Sequence, residues 1–246
     1  MTYLNMLGYL DEKYGILDYL LKQKANGRIK HLGCSFHASL DTMKKFLDAY
    51  SEHLEFCQLQ INYLDWFAQS GKAKVELVKS YGLPVWVMEP VRGGKLAKLE
   101  ESQEKILKEL RPDESISAWA FRFLQSVPEV SVILSGMSNM EQIADNLKTF
   151  SEEKPLSDSE KATLFKIAGE MLEKNIVPCT ACRYCISHCP KELDIPKLIE
   201  LYNERIIDKE NKSRIKINAD CIGCKKCEKV WVKTTKNVKL IDFCIA

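Results

Sequence analysis

Four cysteines in the last third of the chain, Cys179, Cys182, Cys185 and Cys189, stand at the spacing C-x2-C-x2-C-x3-C, with Pro190 directly after them. A second run, Cys221, Cys224 and Cys227, begins 42 residues after the first, and Trp231 occupies the position where a fourth cysteine would complete the same spacing. Thiolates spaced in this way wrap three ligands around one cubane cluster. Seven of the ten cysteines are therefore candidate iron–sulfur ligands, and the chemistry they imply is electron transfer. Three other roles suit the spacing poorly. Zinc takes four ligands, usually from two C-x2-C pairs, which leaves the third cysteine of each run unused. Disulfides belong to an oxidising compartment, and nothing near Met1 has the basic and then apolar regions of a secretory leader. Buried structural cysteines occur singly, as Cys34 and Cys57 do, rather than in runs.

The fourth ligand of each cluster decides how many clusters form. In two-cluster ferredoxins the last cysteine of one run ligates the cluster held mainly by the other. By that rule Cys221, Cys224, Cys227 and Cys189 make a complete set. Cys179, Cys182 and Cys185 would draw on position 231, where an indole cannot ligate iron. One complete 4Fe-4S cluster is expected. For the second, an open iron, a three-iron form and recruitment of Cys244 all remain open. From position 177 onward there are 14 Lys or Arg against 9 Asp or Glu, a net +5, so the preceding segment carries −3 and the whole chain +2. Lys225, Lys226 and Lys229 could offset the negative charge of a bound cluster; a solvated basic tail is the plainer reading. No aromatic stacking platform interleaves these lysines, so nucleic-acid binding is not expected.

At 246 residues, 46% hydrophobic and 28% charged, the chain has the composition of a globular protein with room for a large and a small domain. No apolar run is long enough to span a bilayer, and with no targeting segment a reducing cytoplasm is the expected location. Before the cysteines, short β-leaning runs (Ile29–Ser35, Phe56–Asn62, Pro84–Met88, Val130–Ser135) alternate with amphipathic segments. Leu40, Met43, Phe46, Leu47 and Tyr50 share one helical face. So do Ile116, Trp119, Ala120, Phe123 and Leu124, and likewise Met140, Ile143, Ala144 and Leu147. Gly27 and Gly82 suit helix C-caps, and Ser157 with Glu160 forms a capping box. Alternating strands and helices predict a parallel sheet covered by helices, with residues 1–175 as one domain and 176–246 as the cysteine-rich one.

Polar residues collect at the ends of those strands. Period-two alternation puts Gln58, Gln60 and Asn62 on one face and Cys57, Leu59 and Ile61 on the other. Amides on such a face need partners, either a ligand or solvent. The third strand runs into Glu89-Pro90-Val91-Arg92-Gly93-Gly94, and the fourth into Ser135-Gly136-Met137-Ser138 before a helix. Small residues leading into a helix N-terminus suit a phosphate, although many such turns bind nothing.

The blocks Gly27-Arg28-Ile29-Lys30-His31-Leu32-Gly33-Cys34-Ser35, Gln58-Leu59-Gln60-Ile61-Asn62-Tyr63, Met88-Glu89-Pro90-Val91-Arg92-Gly93-Gly94 and Gly136-Met137-Ser138, with Gln142 and Asn146, resemble the back half of an aldo/keto reductase. The ferredoxin-type tail is similar to that of one bacterial and archaeal branch of those reductases. The resemblance implies an α/β fold: a partial (β/α)8 barrel, units five to eight, followed by a small, mainly helical ferredoxin-like domain. It also implies NADPH across the C-terminal ends of the strands. Ser35 and Gln60 would hold the nicotinamide carboxamide, and Gly136, Ser138, Gln142 and Asn146 would meet the adenosine phosphate end. The catalytic Asp, Tyr, Lys and His of the family come from the first four units and have no counterpart here, so no catalytic residue is assigned. His37 is more readily a cap or surface group than an acid. Four strands leave two edges and an inner face to be covered, by a second copy, a separately encoded front half or the tail itself. The expected function is an iron–sulfur oxidoreductase working with a redox partner protein; the alternatives are a non-catalytic electron-transfer or nucleotide-binding module and a truncated gene product.

Overall fold

The computed structural model describes residues 8–174, 179 and 183–207. The chain divides into two compact units, Met1–Ala168 and Gly169–Ala246. The first holds α1 (Ile16–Ala25), β1 (Gly33–Phe36), α2 (Leu40–Tyr50), β2 (Phe56–Gln60), α3 (Asp65–Ala68), α4 (Gly71–Ser80), β3 (Val85–Met88), α5 (Glu101–Leu110), α6 (Ile116–Gln125), β4 (Val130–Ile133) and α7 (Met140–Phe150). α8 (Asp158–Lys174) runs across the division, and α9 (Tyr184–Ser187) and α10 (Ile195–Ile207) belong to the second unit. Among the described residues no helix is long and apolar enough to cross a membrane.

The sheet is parallel throughout, in the order β1-β2-β3-β4, so β1 and β4 are its two edges among the described residues. Each expected strand forms and is shorter by one to three residues: β2 and β4 lose their C-terminal ends to loops, β3 begins after Pro84, and β1 begins at Gly33 rather than Ile29 and ends one residue later, at Phe36. The alternation on β2 is as read: Cys57, Leu59 and Ile61 are fully buried on the helix-covered side. Val85 and Val87 of β3 join them, and each such buried aliphatic chain contributes about 1.5–3 kcal/mol. Across the sheet, Phe56 stacks on Trp86 with ring centroids 3.7 Å apart. Gly33 is required beneath that pair, since a Cβ there would lie 2.4 Å from the Phe56 ring.

The helices follow their signals closely. Ser39 and Ser115 accept from the backbone N–H groups of Thr42 and Ala118 and cap α2 and α6. Gly27 and Gly82 end α1 and α4 with φ of +73° and +71°, the left-handed conformation that glycine adopts without strain. Met43, Phe46 and Leu47 are buried as expected, as are Trp119, Ala120, Phe123 and Leu124. α7 departs from expectation. Met140 and Leu147 are 71% and 67% exposed. The helix instead docks through its other side, where Asp145 accepts from Ser115 Oγ (2.6 Å) and Ser117 Oγ (2.9 Å) and Thr149 is buried. Of its apolar stripe Met140, Ala144 and Leu147 are exposed and Ile143 is half-buried.

Candidate functional site

The loops that follow β3 and β4 enclose a cavity of about 450 Å³ at the C-terminal ends of the strands. One wall is the segment Met88–Val91 with Gly93 and Gly94; the other is Leu134–Ser138 with Gln142, Asp145 and Asn146 of α7. The first wall is an unusual turn, with φ positive at Glu89 (+58°), Arg92 (+49°), Gly93 (+61°) and Gly94 (+87°). Two non-glycine residues in left-handed conformation persist only where surroundings hold them. Here Arg92 is held from below. Its guanidinium Nε lies 3.2 Å from Asp65 Oδ1, and both side chains are almost wholly buried.

Asp65 is the hub of that support. Its Oδ2 accepts from Gln60 Nε2 and Asn62 Nδ2, each at 2.8 Å, and its Oδ1 from Gln69 Nε2 at 3.3 Å. Asn62 Oδ1 in turn accepts from the backbone N–H groups of Leu64 (3.1 Å) and Asp65 (2.8 Å), while its Nδ2 also donates to the Glu89 carbonyl at 3.0 Å. The network thus ties the end of β2 to the turn after β3. It also answers which partners the β2 amides have, since Gln60 and Asn62 are satisfied by a buried carboxylate. Gln58 Nε2 meets Met88 Sδ at 3.5 Å, and Ser35 Oγ lies 4.0 Å from the same sulfur.

On the second wall Asn139 caps α7 by accepting from Gln142 N–H at 2.9 Å. Gln142 folds back so that its Oε1 accepts from Ser138 N–H (2.7 Å) and lies 3.3 Å from Ser138 Oγ. Asn146 Nδ2 donates to Ser135 Oγ at 3.1 Å. Gly136, Ser138, Gln142 and Asn146 are therefore brought together on one wall, whereas Ser35 and Gln60 do not line this cavity. Sequence reading missed Asp65, Arg92, Glu89 and Asp145. The signal for the first was present in Asn62-x-x-Asp65, a spacing that lets an Asn side chain cap the turn in which the Asp sits.

Two titratable groups flank the network. Burial, more than any neighbouring charge, lowers His37 from its ordinary value to about 4, so it is neutral at neutral pH and unsuited to donate a proton there. Burial also lowers Lys74, against an opposing pull from Asp65.

In the second unit the chain enters α9 through Arg183 at φ +63° and leaves it with Cys189 N–H donating to the Ile186 carbonyl at 2.9 Å. Cys185 is buried, and Cys179 and Cys189 are half-buried. Cys182, Cys221, Cys224, Cys227, Trp231 and Cys244 lie outside the described residues, and among the described residues no three metal-ligating side chains converge. The donor set suits a cluster by its chemistry: Cys221, Cys224 and Cys227 with Cys189 of the first run make four thiols, whereas Cys179, Cys182 and Cys185 meet Trp231 at the fourth position.

The aldo/keto reductase family model matches residues 11–168, and that of the 4Fe-4S dicluster domain matches residues 178–230. No curated protein matches the chain. Among solved structures it is similar to the apo form of aldo-keto reductase AKR11C1 from Bacillus halodurans, at 21% identity and a TM-score of 0.51, covering 64% of this chain and 58% of that one. It is also similar to the thermostable aldo-keto reductase Tm1743 in complex with epalrestat, at 20% identity and a TM-score of 0.50, covering 61% and 53%. The chain spans little more than half the length of these structures, and the likeness is one of fold.

Proposed function

Because the chain belongs to the aldo/keto reductase family and carries a 4Fe-4S dicluster domain, we propose that it is the electron-handling part of an iron–sulfur oxidoreductase. The observation that carries this reading is the pair of cysteine runs inside the matched segment 178–230. Cys189, Cys221, Cys224 and Cys227 hold one 4Fe-4S cluster; Cys179, Cys182 and Cys185 supply three ligands to a second. Bound clusters supply one-electron transfer to a redox partner protein. The four parallel strands correspond to barrel units five to eight, and the cavity after β3 and β4 receives a nicotinamide dinucleotide, which in the family pattern is NADP(H). Gly136, Ser138, Gln142 and Asn146 face its adenosine end, and Ser35 and Gln60 lie toward the nicotinamide. Proton donation to a carbonyl substrate is the work of groups that complete the barrel, either a second copy or a separately encoded front half. The chain acts in the cytoplasm.

Anaerobic reconstitution followed by iron analysis and EPR tests the reading. About four irons per chain are expected from one complete cluster, and about seven or eight if the Cys179 site also fills. Colourless protein that retains zinc would sink it. Carbonyl-dependent oxidation of a reduced nicotinamide nucleotide by the chain alone would show that no completing half is needed.

A further inference from the structure

We infer that the cavity between the β3 and β4 loops selects a dinucleotide whose adenosine ribose carries no phosphate, NAD(H), and discriminates against NADP(H). The inference rests on the nucleotide reading of that cavity and departs from the family pattern in the choice of nucleotide. Its first ground is charge. Among the described residues that line the cavity the only ionisable ones are Glu89 and Asp145, both acids, and no described lysine or arginine lines it. The basic residues close in sequence are directed elsewhere. Arg92 is buried against Asp65, Lys148 Nζ donates to the Asp113 carbonyl at 3.0 Å, and Lys95 and Lys98 are exposed outside the lining.

The second ground is the state of the backbone donors. A helix N-terminus can attract an anion through unpaired N–H groups. At the start of α7 the N–H groups of Ser138, just before the helix, and of Gln142 in its first turn already donate to side-chain oxygens, of Gln142 and Asn139 respectively. An added phosphate would have to displace the Gln142 carboxamide to reach Ser138. The third ground is what Asp145 offers in its place. Two serine hydroxyls, Ser115 and Ser117, fix its carboxylate by donating to the same oxygen, Oδ2. That arrangement leaves Oδ1 to accept from a ligand hydroxyl, which the free 2′-hydroxyl of NAD(H) provides and a phosphate ester at that position does not. Glu89 adds a second carboxylate from the first wall, its Oε2 3.9 Å from where a Cβ on Gly93 of the same turn would stand.

NAD(H) and NADP(H) differ only in the 2′-phosphate, which adds a charge of about −1.5 to −2 near neutral pH. All other contributions cancel in a comparison of the two, so the like charge of Glu89 and Asp145 decides the sign. The full chain, reconstituted anaerobically, is titrated with NADH and with NADPH and binding is followed by nucleotide fluorescence. NADH is expected to bind at least about tenfold more tightly at low ionic strength, with a ratio that shrinks as salt screens the carboxylates. Asp145→Asn should narrow the ratio, and Gln142→Arg, which puts a cation on the exposed α7 wall, should narrow it further. NADPH binding as tightly as NADH, or more so, overturns the selectivity and leaves the nucleotide reading standing. Binding of neither nucleotide by a chain with a native circular dichroism spectrum overturns the nucleotide reading itself, and this inference with it.

Discussion

Asp65→Asn should be among the most damaging single changes in the first unit, although it alters one atom. The carboxylate is 0% exposed and faces three amide donors and the Arg92 guanidinium. An asparagine keeps one oxygen and turns an NH2 toward groups that themselves donate. It also leaves Arg92 as a buried cation without a counter-charge, a situation that costs about 3–5 kcal/mol. Arg92→Met should cost less, about 1–3 kcal/mol. The carboxylate then keeps its three amide donors, and the substitution removes two guanidinium nitrogens, Nε and Nη2, that lack an aligned hydrogen-bond acceptor. Trp66, Trp86 and Trp119 lie in the same unit, so guanidinium unfolding followed by tryptophan fluorescence reads both variants and the double mutant. The cycle should return a coupling of at least about 1 kcal/mol between the two sites. A loss below about 1 kcal/mol for Asp65→Asn, or a larger loss for Arg92→Met than for Asp65→Asn, would refute the idea that Asp65 is the hub.

Four further outcomes can be checked. Gly33→Ala drives a methyl group to 2.4 Å from a Phe56 ring already stacked on Trp86, and thermal melts should show a loss of about 1–3 kcal/mol. Glu160 receives Arg111 through both Nε (2.5 Å) and Nη2 (2.8 Å), and chiefly for that reason its carboxyl is lowered from 4.5 to about 2. A depressed carboxyl stabilises the fold above its unfolded value and loses that stability as pH falls through the folded one. Glu160→Gln should therefore flatten the stability profile between roughly pH 4.5 and 2, and an unchanged profile would deny the pair its role. His37, held at about 4 by burial, should show no imidazole titration by NMR between pH 8 and roughly pH 5. Its linked contribution to stability falls as pH drops from about 6.5 toward 4, since only the unfolded chain takes up a proton there. Leu147→Ser, at an exposed position of α7, should change the stability of a monomer by less than about 0.5 kcal/mol. A larger, concentration-dependent loss would mean that a second copy covers the stripe.

The fold was largely legible because its signals are local. The apolar runs that became β1 to β4, the box of Ser157 and Glu160 at the start of α8 and the glycines after α1 and α4 each act within a few residues of themselves, through alternation, capping and left-handed φ. The same holds for the cysteine spacing, whose meaning lies in how far one short loop can reach around a cluster. α7 marks the limit of such reading. Its periodicity identified the helix but not the side that would dock, because docking was settled by Asp145 meeting two serines about 30 residues earlier in the chain. The candidate site divides in the same way. The sequence by itself determined that glycines, serines and amides would gather at the strand ends, since composition and alternation suffice for that. Only the tertiary structure decided that Gln60 and Asn62 serve a buried carboxylate and that, among the described residues, the cavity is lined by two acids and no cation. Both depend on which side chains from separate strands and helices come within hydrogen-bond distance of one another, and the order of residues along a chain does not specify such distances.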